Sequence, residues 1–196
     1  MDVTSRVPYW LLAILVGALS FAVGTQGPAD AYVLNGCKFP GSNPTITYEF
    51  QTVTSSWQLS FTTAKSKWNA KTALNLVAGS AQNIPVQDAD YPDSWWGLAS
   101  GGCAGGGNKT WYVTSECPGK PCVKIQFNLR TDDGLDGTDR YHVAVHEIGH
   151  ALGLAHSSLS CVTPVIMRSD PTWVRDNCGL LDAPFPNDVQ GIDHIY

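Results

Sequence analysis

In 196 residues, 17 acidic side chains outnumber 12 basic ones for a formal net charge of −5, with no basic run anywhere. That distribution excludes the electrostatic footprint of a nucleic-acid-binding protein. The length suits one domain with a sizeable core and falls short of two.

Residues 1–31 read as an address. Arg6 supplies a positive start, Trp10 to Val23 is an apolar run, and Ala29-Asp30-Ala31 has the small residues of a signal-peptide cleavage site. The mature chain is therefore expected to begin at Tyr32, to be secreted, and to keep no stable association with a membrane. Losing Arg6, Asp2 and Asp30 moves the formal charge only from −5 to −4. The alternative is an uncleaved anchor, because Val7 to Gly24 carries no charge and approaches the length of a bilayer span. All 6 cysteines (Cys37, Cys103, Cys117, Cys122, Cys161, Cys178) follow the cleavage site, and an even count in an exported chain predicts three disulfides. A cysteine metal site is disfavoured because no C-x2-C pair occurs.

Thr45 to Phe50 alternates β-branched and aromatic residues after a Gly/Pro-rich approach and predicts the first strand. Ser55 or Ser56 is expected to cap a helix whose Trp57, Phe61, Ala64 and Trp68 recur at helical steps as a core-facing stripe. Residues 73–122 hold short apolar pieces among glycines, including GGCAGGG, and read as strands and long loops. Val123 to Leu129 alternates and predicts a strand with one buried face. The acidic loop TDDGLDGTD then leads into a helix from about Thr138 to Leu152. After Gly153 no helical period appears until Asn187, where Asn187 and Gln190 fit a capping box and Val189, Ile192 and Tyr196 share a face.

Residues 146–157 read HEIGHALGLAHS and concentrate three of the chain's 5 histidines. A chance match to H-E-x-x-H-x-x-G-x-x-H at the chain's own frequencies is on the order of a few in a million. Four helical residues advance about 400 degrees and 6 Å, so His146 and His150 stand one above the other on one face and could grip one ion. Glu147 lies about 100 degrees round, placed to flank the metal as a general base without ligating it. Gly153 can take the left-handed conformation that ends a helix and lets His156 return as a third ligand. Three neutral nitrogens leave one tetrahedral position open, the mark of a catalytic zinc site. His142 lies about 12 Å along the axis from His150, too far to share the ion, and is expected at the surface or supporting the site. Asp132, Asp133, Asp136 and Asp139 could bind calcium, or could simply favour the helix N-terminus. Trp95 and Trp96 could border a cleft or only pack.

With this motif, and with PNDVQGIDHIY at the end, the chain resembles the metzincin metallopeptidases, and within them the matrixins, the group of the matrix metalloproteinase catalytic domains. Ser157 follows the third histidine as in matrixins. Met167, the single methionine of residues 32–196, looks like the family's Met-turn, whose side chain underlies the zinc histidines. The resemblance runs from Lys38 to Tyr196 and implies an α+β, zincin-like fold: a twisted mixed sheet, two long helices, and a small irregular C-terminal lobe closed by a terminal helix. It also implies a monomeric zinc endopeptidase of protein or peptide substrates, with substrate adding as a strand near Ser94 to Ser100 and a pocket walled by residues after Met167. The chain departs from the family pattern in three places: Ser169 stands where astacin-like relatives have a tyrosine, no histidine lies between Tyr32 and Tyr141 for a second zinc, and no PRCGxPD-like cysteine switch occurs.

Cys161 and Cys178 both lie in the irregular segment around Met167 and are expected to pair, while the other four cysteines are open, with Cys117 to Cys122 one local option. The competing readings are a metzincin of another branch and a secreted zinc-binding or adhesive module without turnover. Glu147 argues against the latter, since a mere zinc holder needs no base.

Overall fold

A computed structural model describes residues 32–80, 82–104, 107–158 and 160–196. The expected leader, residues 1–31, lies outside them. In chain order the elements are β1 (Val33–Leu34), β2 (Cys37–Lys38), β3 (Thr45–Thr52), α1 (Ser55–Lys71), β4 (Asn75–Ala78), β5 (Ile84–Ala89), β6 (Gly97–Ser100), β7 (Lys109–Thr110), β8 (Lys124–Asn128), a 3-10 turn (Leu129–Thr131), α2 (Gly137–Leu152), β9 (Leu154–Ala155), α3 (Trp173–Cys178) and α4 (Pro186–Ile195). This is the mixed α+β class expected. The main sheet has the order β4-β3-β5-β8-β6. All its pairings are parallel except that of β6, which runs antiparallel to β8 and forms an edge.

The apolar stripe of α1 fixes how the layers stack. Trp57, Phe61, Ala64 and Trp68 are fully buried, and Trp57 stacks on Phe127 of β8 with ring centroids 4.1 Å apart. The indole N–H of Trp68 donates to the Val145 carbonyl of α2 at 3.1 Å. α1 is thereby locked both to the sheet and to α2. Truncating aromatics in such places typically costs 3–5 kcal/mol.

Helix ends differ from the sequence reading where a distant partner decides them. α1 is capped by Thr54, not Ser55 or Ser56. The Thr54 N–H and hydroxyl both donate to Asp88 Oδ2, at 2.8 and 2.7 Å, which fixes Thr54 in extended conformation and leaves Ser55 as the first helical residue. α2 starts at Gly137, one residue before Thr138, because Asp136 Oδ1 accepts the N–H groups of Thr138 and Asp139 while Asp139 Oδ2 accepts that of Asp136. α4 starts at Pro186 rather than being capped by Asn187 and Gln190: proline occupies the first turn and Asp188 accepts the Phe185 N–H at 2.9 Å. α3 was not expected at all, since six residues are too few to display a period.

Three disulfides join Cys37 to Cys103, Cys117 to Cys122 and Cys161 to Cys178. The last two are the pairs named from the sequence, and three bridges point to an oxidising, extracellular setting. Among the described residues no helix is long and apolar enough to cross a membrane. The two ends of the domain meet behind α2. β1 pairs with β9, Lys38 Nζ donates to the Ile195 carbonyl at 2.6 Å, and the Tyr196 hydroxyl accepts the Phe39 N–H and donates to the Leu152 carbonyl.

Candidate functional site

The last two turns of α2 carry His146 and His150 on one face. Gly153 ends the helix at φ 114°, where a Cβ would lie 2.6 Å from the Cys37 carbonyl oxygen, so only glycine fits. The chain then turns through β9 and delivers His156. One nitrogen from each of the three rings lies within 4.8 Å of the others, a group that could hold a metal ion.

The tautomers follow from the hydrogen bonds. His146 Nδ1 faces the Ile166 carbonyl at 2.9 Å and His150 Nδ1 faces the Leu154 carbonyl at 2.8 Å. A carbonyl only accepts, so both Nδ1 atoms carry the proton and both Nε2 atoms present lone pairs. His146 Nε2 stands 3.2 Å from His156 Nε2. A tetrahedral zinc with bonds of about 2.0–2.1 Å holds its ligand nitrogens roughly 3.3 Å apart, so the donor set fits that ion in type and the His146–His156 pair fits it in spacing. Burial, reinforced by the neighbouring imidazoles, pushes His146 down to about 3 and His150 down to about 4, and burial lowers His156 as well. All three rings are neutral at pH 7, as metal ligation requires.

Glu147 is buried against the edge strand. Its Cγ and Oε1 would lie 2.7 and 2.8 Å from a Cβ on Gly97, so the missing side chain of β6 is what admits the carboxylate. The Ala99 N–H donates to it, while the stronger effect of burial pushes its pKa up to about 8 in the metal-free chain.

Beneath the histidines, Met167 packs against Gly149, with Trp68 beside it. The Ser157 N–H donates to the Met167 carbonyl at 2.7 Å. Asp188, from α4, accepts the Ile166 N–H at 2.9 Å and the Met167 N–H as well; the second of these belongs to the same peptide as the carbonyl that orients His146, which the terminal helix thereby pins. Asn35 Nδ2 donates to the His150 carbonyl at 2.9 Å and Trp111 Nε1 to that of Ala151 at 3.1 Å. The sequence reading missed Gly97, Asp188, Asn35 and Trp111. Only Asp188 carried a local signal, as a carboxylate in the first turn after Pro186.

His142 is not at the surface. It is fully buried, its Nε2 donating to the Leu181 carbonyl at 3.1 Å, because residues 181–183 cover that face of α2. In the acidic loop, Asp132 forms a two-pronged pair with Arg140. Asp136 and Asp139 cap α2 and pair with Arg175.

A cleft of about 820 Å³ opens over the cluster. Trp95, Trp96 and β6 border it from the sheet, and Ser169, Asp170 and Pro171 border it from the lower lobe. The tryptophan pair therefore lines the cleft.

A family model described as Matrixin matches residues 35–196. No curated protein matches the sequence significantly. Among solved structures, the GM1-bound form of the ECX AB5 holotoxin is similar with a TM-score of 0.51 at 13% identity, covering 78% of this chain and 80% of that one. A crystal structure of myroilysin gives 0.40 at 17% identity, covering 65% of this chain and 56% of that one. A second myroilysin structure gives 0.43 at 15%, covering 74% and 71%. The first likeness supports the fold alone. The family match takes in both long helices, the whole sheet and the terminal helix, so the chain belongs to the matrixin family and is a zinc metalloendopeptidase acting on proteins or peptides.

Proposed function

We propose that His146, His150 and His156 hold one catalytic zinc ion, that Glu147 is the general base, and that residues 32–196 form the secreted, monomeric catalytic domain once residues 1–31 are removed. The observation that carries this reading is the convergence of three imidazole nitrogens within 4.8 Å, beside a buried carboxylate. Calcium forms no part of it, because Asp132, Asp136 and Asp139 are engaged by Arg140, Arg175 and helix N–H groups.

Zinc bound there supplies Lewis-acid polarisation of the scissile carbonyl and makes water acidic enough to attack near neutral pH. The chain's own residues do the rest. An extended peptide lies along the free edge of β6 and gains main-chain hydrogen bonds there. Glu147 takes a proton from the attacking water and passes it to the departing amide nitrogen, so the C–N bond breaks without releasing an amide anion. The Ala99 N–H and the close wall at Gly97 hold the carboxylate for both transfers.

Glu147→Ala should keep zinc at parental stoichiometry and lose about 10²- to 10⁴-fold in turnover. His150→Ala should lose both zinc and turnover, since two protein ligands remain. Zinc content and peptide cleavage are measured on the same preparations. A Glu147→Ala enzyme as fast as the parent, or a parent that binds zinc and cleaves nothing, overturns the proposal.

A further inference from the structure

The charges facing the cleft are one-sided. Of its lining side chains only Glu147 and Asp170 are acidic, and no lysine or arginine is among them. Glu147 is buried and committed to the proton transfers proposed above. Asp170 is exposed at the lower-lobe border.

Its carboxylate is held in place. Oδ1 accepts the Thr172 N–H at 3.0 Å and the Thr172 hydroxyl at 2.9 Å. These bonds fix the group at the entrance to α3 and leave Oδ2 available to a partner. The nearest basic side chain in sequence, Arg168, lays its guanidinium on the Trp173 ring, 3.8 Å from the centroid. Across the cleft, Trp95 and Trp96 add indoles, which attract cations through their π faces and accept aliphatic stems. A lysine or arginine side chain has the apolar stem and positive tip that such a lining suits, whereas an acidic side chain is repelled by Asp170.

We propose that Asp170 is a specificity-determining residue that selects peptides with a lysine or arginine at one fixed position beside the scissile bond. This rests on the peptidase site described above and names its substrate class.

The test is a pair of peptides differing only by lysine or glutamine at that position, together with cut-site mapping on a diverse peptide mixture. Parent enzyme should favour the lysine peptide in kcat/KM by about 3- to 5-fold, the upper part of the range of an exposed ion pair, and the preference should flatten as salt is raised. Asp170→Asn keeps an oxygen for Thr172 and should bring the ratio close to one. Asp170→Lys should turn the preference toward glutamate. A merely structural role for Asp170 predicts neither the salt dependence nor the reversal. Parent enzyme that cuts peptides with no basic enrichment, or Asp170→Asn that keeps the ratio, overturns this proposal and leaves the peptidase reading standing. A parent that cuts nothing removes both.

Discussion

Replacing Gly97 by alanine tests whether β6 sets the position of the general base. The added Cβ would sit 2.7 Å from Glu147 Cγ, 2.8 Å from Glu147 Oε1 and 2.9 Å from Val143 Cγ1. Ordinary carbon contacts fall at about 3.5–4.0 Å, so roughly 0.7–1 Å must be found. Val143 is fully buried and stiff at χ1, and β6 is held in register by β8 through Gly97 opposite Phe127 and Leu98 opposite Gln126. The carboxylate is the softest of the three and has to move. A displacement of about 1 Å in a reacting group costs on the order of 10²-fold. Overpacking costs about 1–3 kcal/mol, offset by about 0.4–1 kcal/mol from a less flexible unfolded chain. Gly97→Ala should therefore lose about 10²-fold in kcat, keep its zinc, change KM little, and melt only a few degrees lower. Steady-state kinetics, zinc analysis and a thermal melt on one preparation decide it. A kcat within twofold of the parent would refute the reasoning, and zinc loss in step with kcat would shift the cause to the helix.

Two further outcomes follow from the geometry. Replacing Cys161 and Cys178 together by serine opens the bridge across a sequence separation of 17; closing a loop of that size is worth about 3 kcal/mol, so the melting temperature should fall by roughly 6–12 °C, and an unchanged melt would count against the bridge. The second concerns Glu147→Gln in metal-free protein. Burial raises the Glu147 pKa from 4.5 to about 8, so the native state keeps a proton that the unfolded chain has already released. Stability from this group is full below 4.5 and is lost as pH rises through about 8. Gln cannot titrate, so its melting temperature should gain on the parent across that window and level off above it. A gap that does not change with pH would contradict the buried carboxylate.

The convergence of the three histidines was legible because its geometry is local: a helical period, a glycine that must take positive φ, and a histidine just beyond. The α1 stripe and the Cys161 to Cys178 pairing were legible for the same reason. What stayed hidden depends on chain segments that meet only in the fold. Gly97 looks like one glycine among many until Glu147 is laid against it. Thr54 caps α1 because Asp88 fixes it, and Cys37 reaches Cys103 because β2 pairs with β7 while Cys103 forms a β-bridge with Trp111 just beyond β7. His142 was left between the surface and a supporting place because it lies too far along the helix from His150 to share an ion, and only the fold shows that residues 181–183 cover it.

The meeting of β1, β2 and α4 behind α2 ties the histidine cluster to segments far apart in the sequence. A nascent chain has produced every proposed zinc ligand by residue 156, but the carbonyl that orients His146 is at Ile166, and the carboxylate that pins that peptide is at Asp188. The last turn of α2 is further tied by Asn35 and Tyr196, from opposite ends of the domain. Such long-range contacts are slow to form, because the intervening chain must close before they are made. The orientation of His146 therefore depends on α4, and a chain cut short before Asp188 is expected to leave the histidine cluster unorganised.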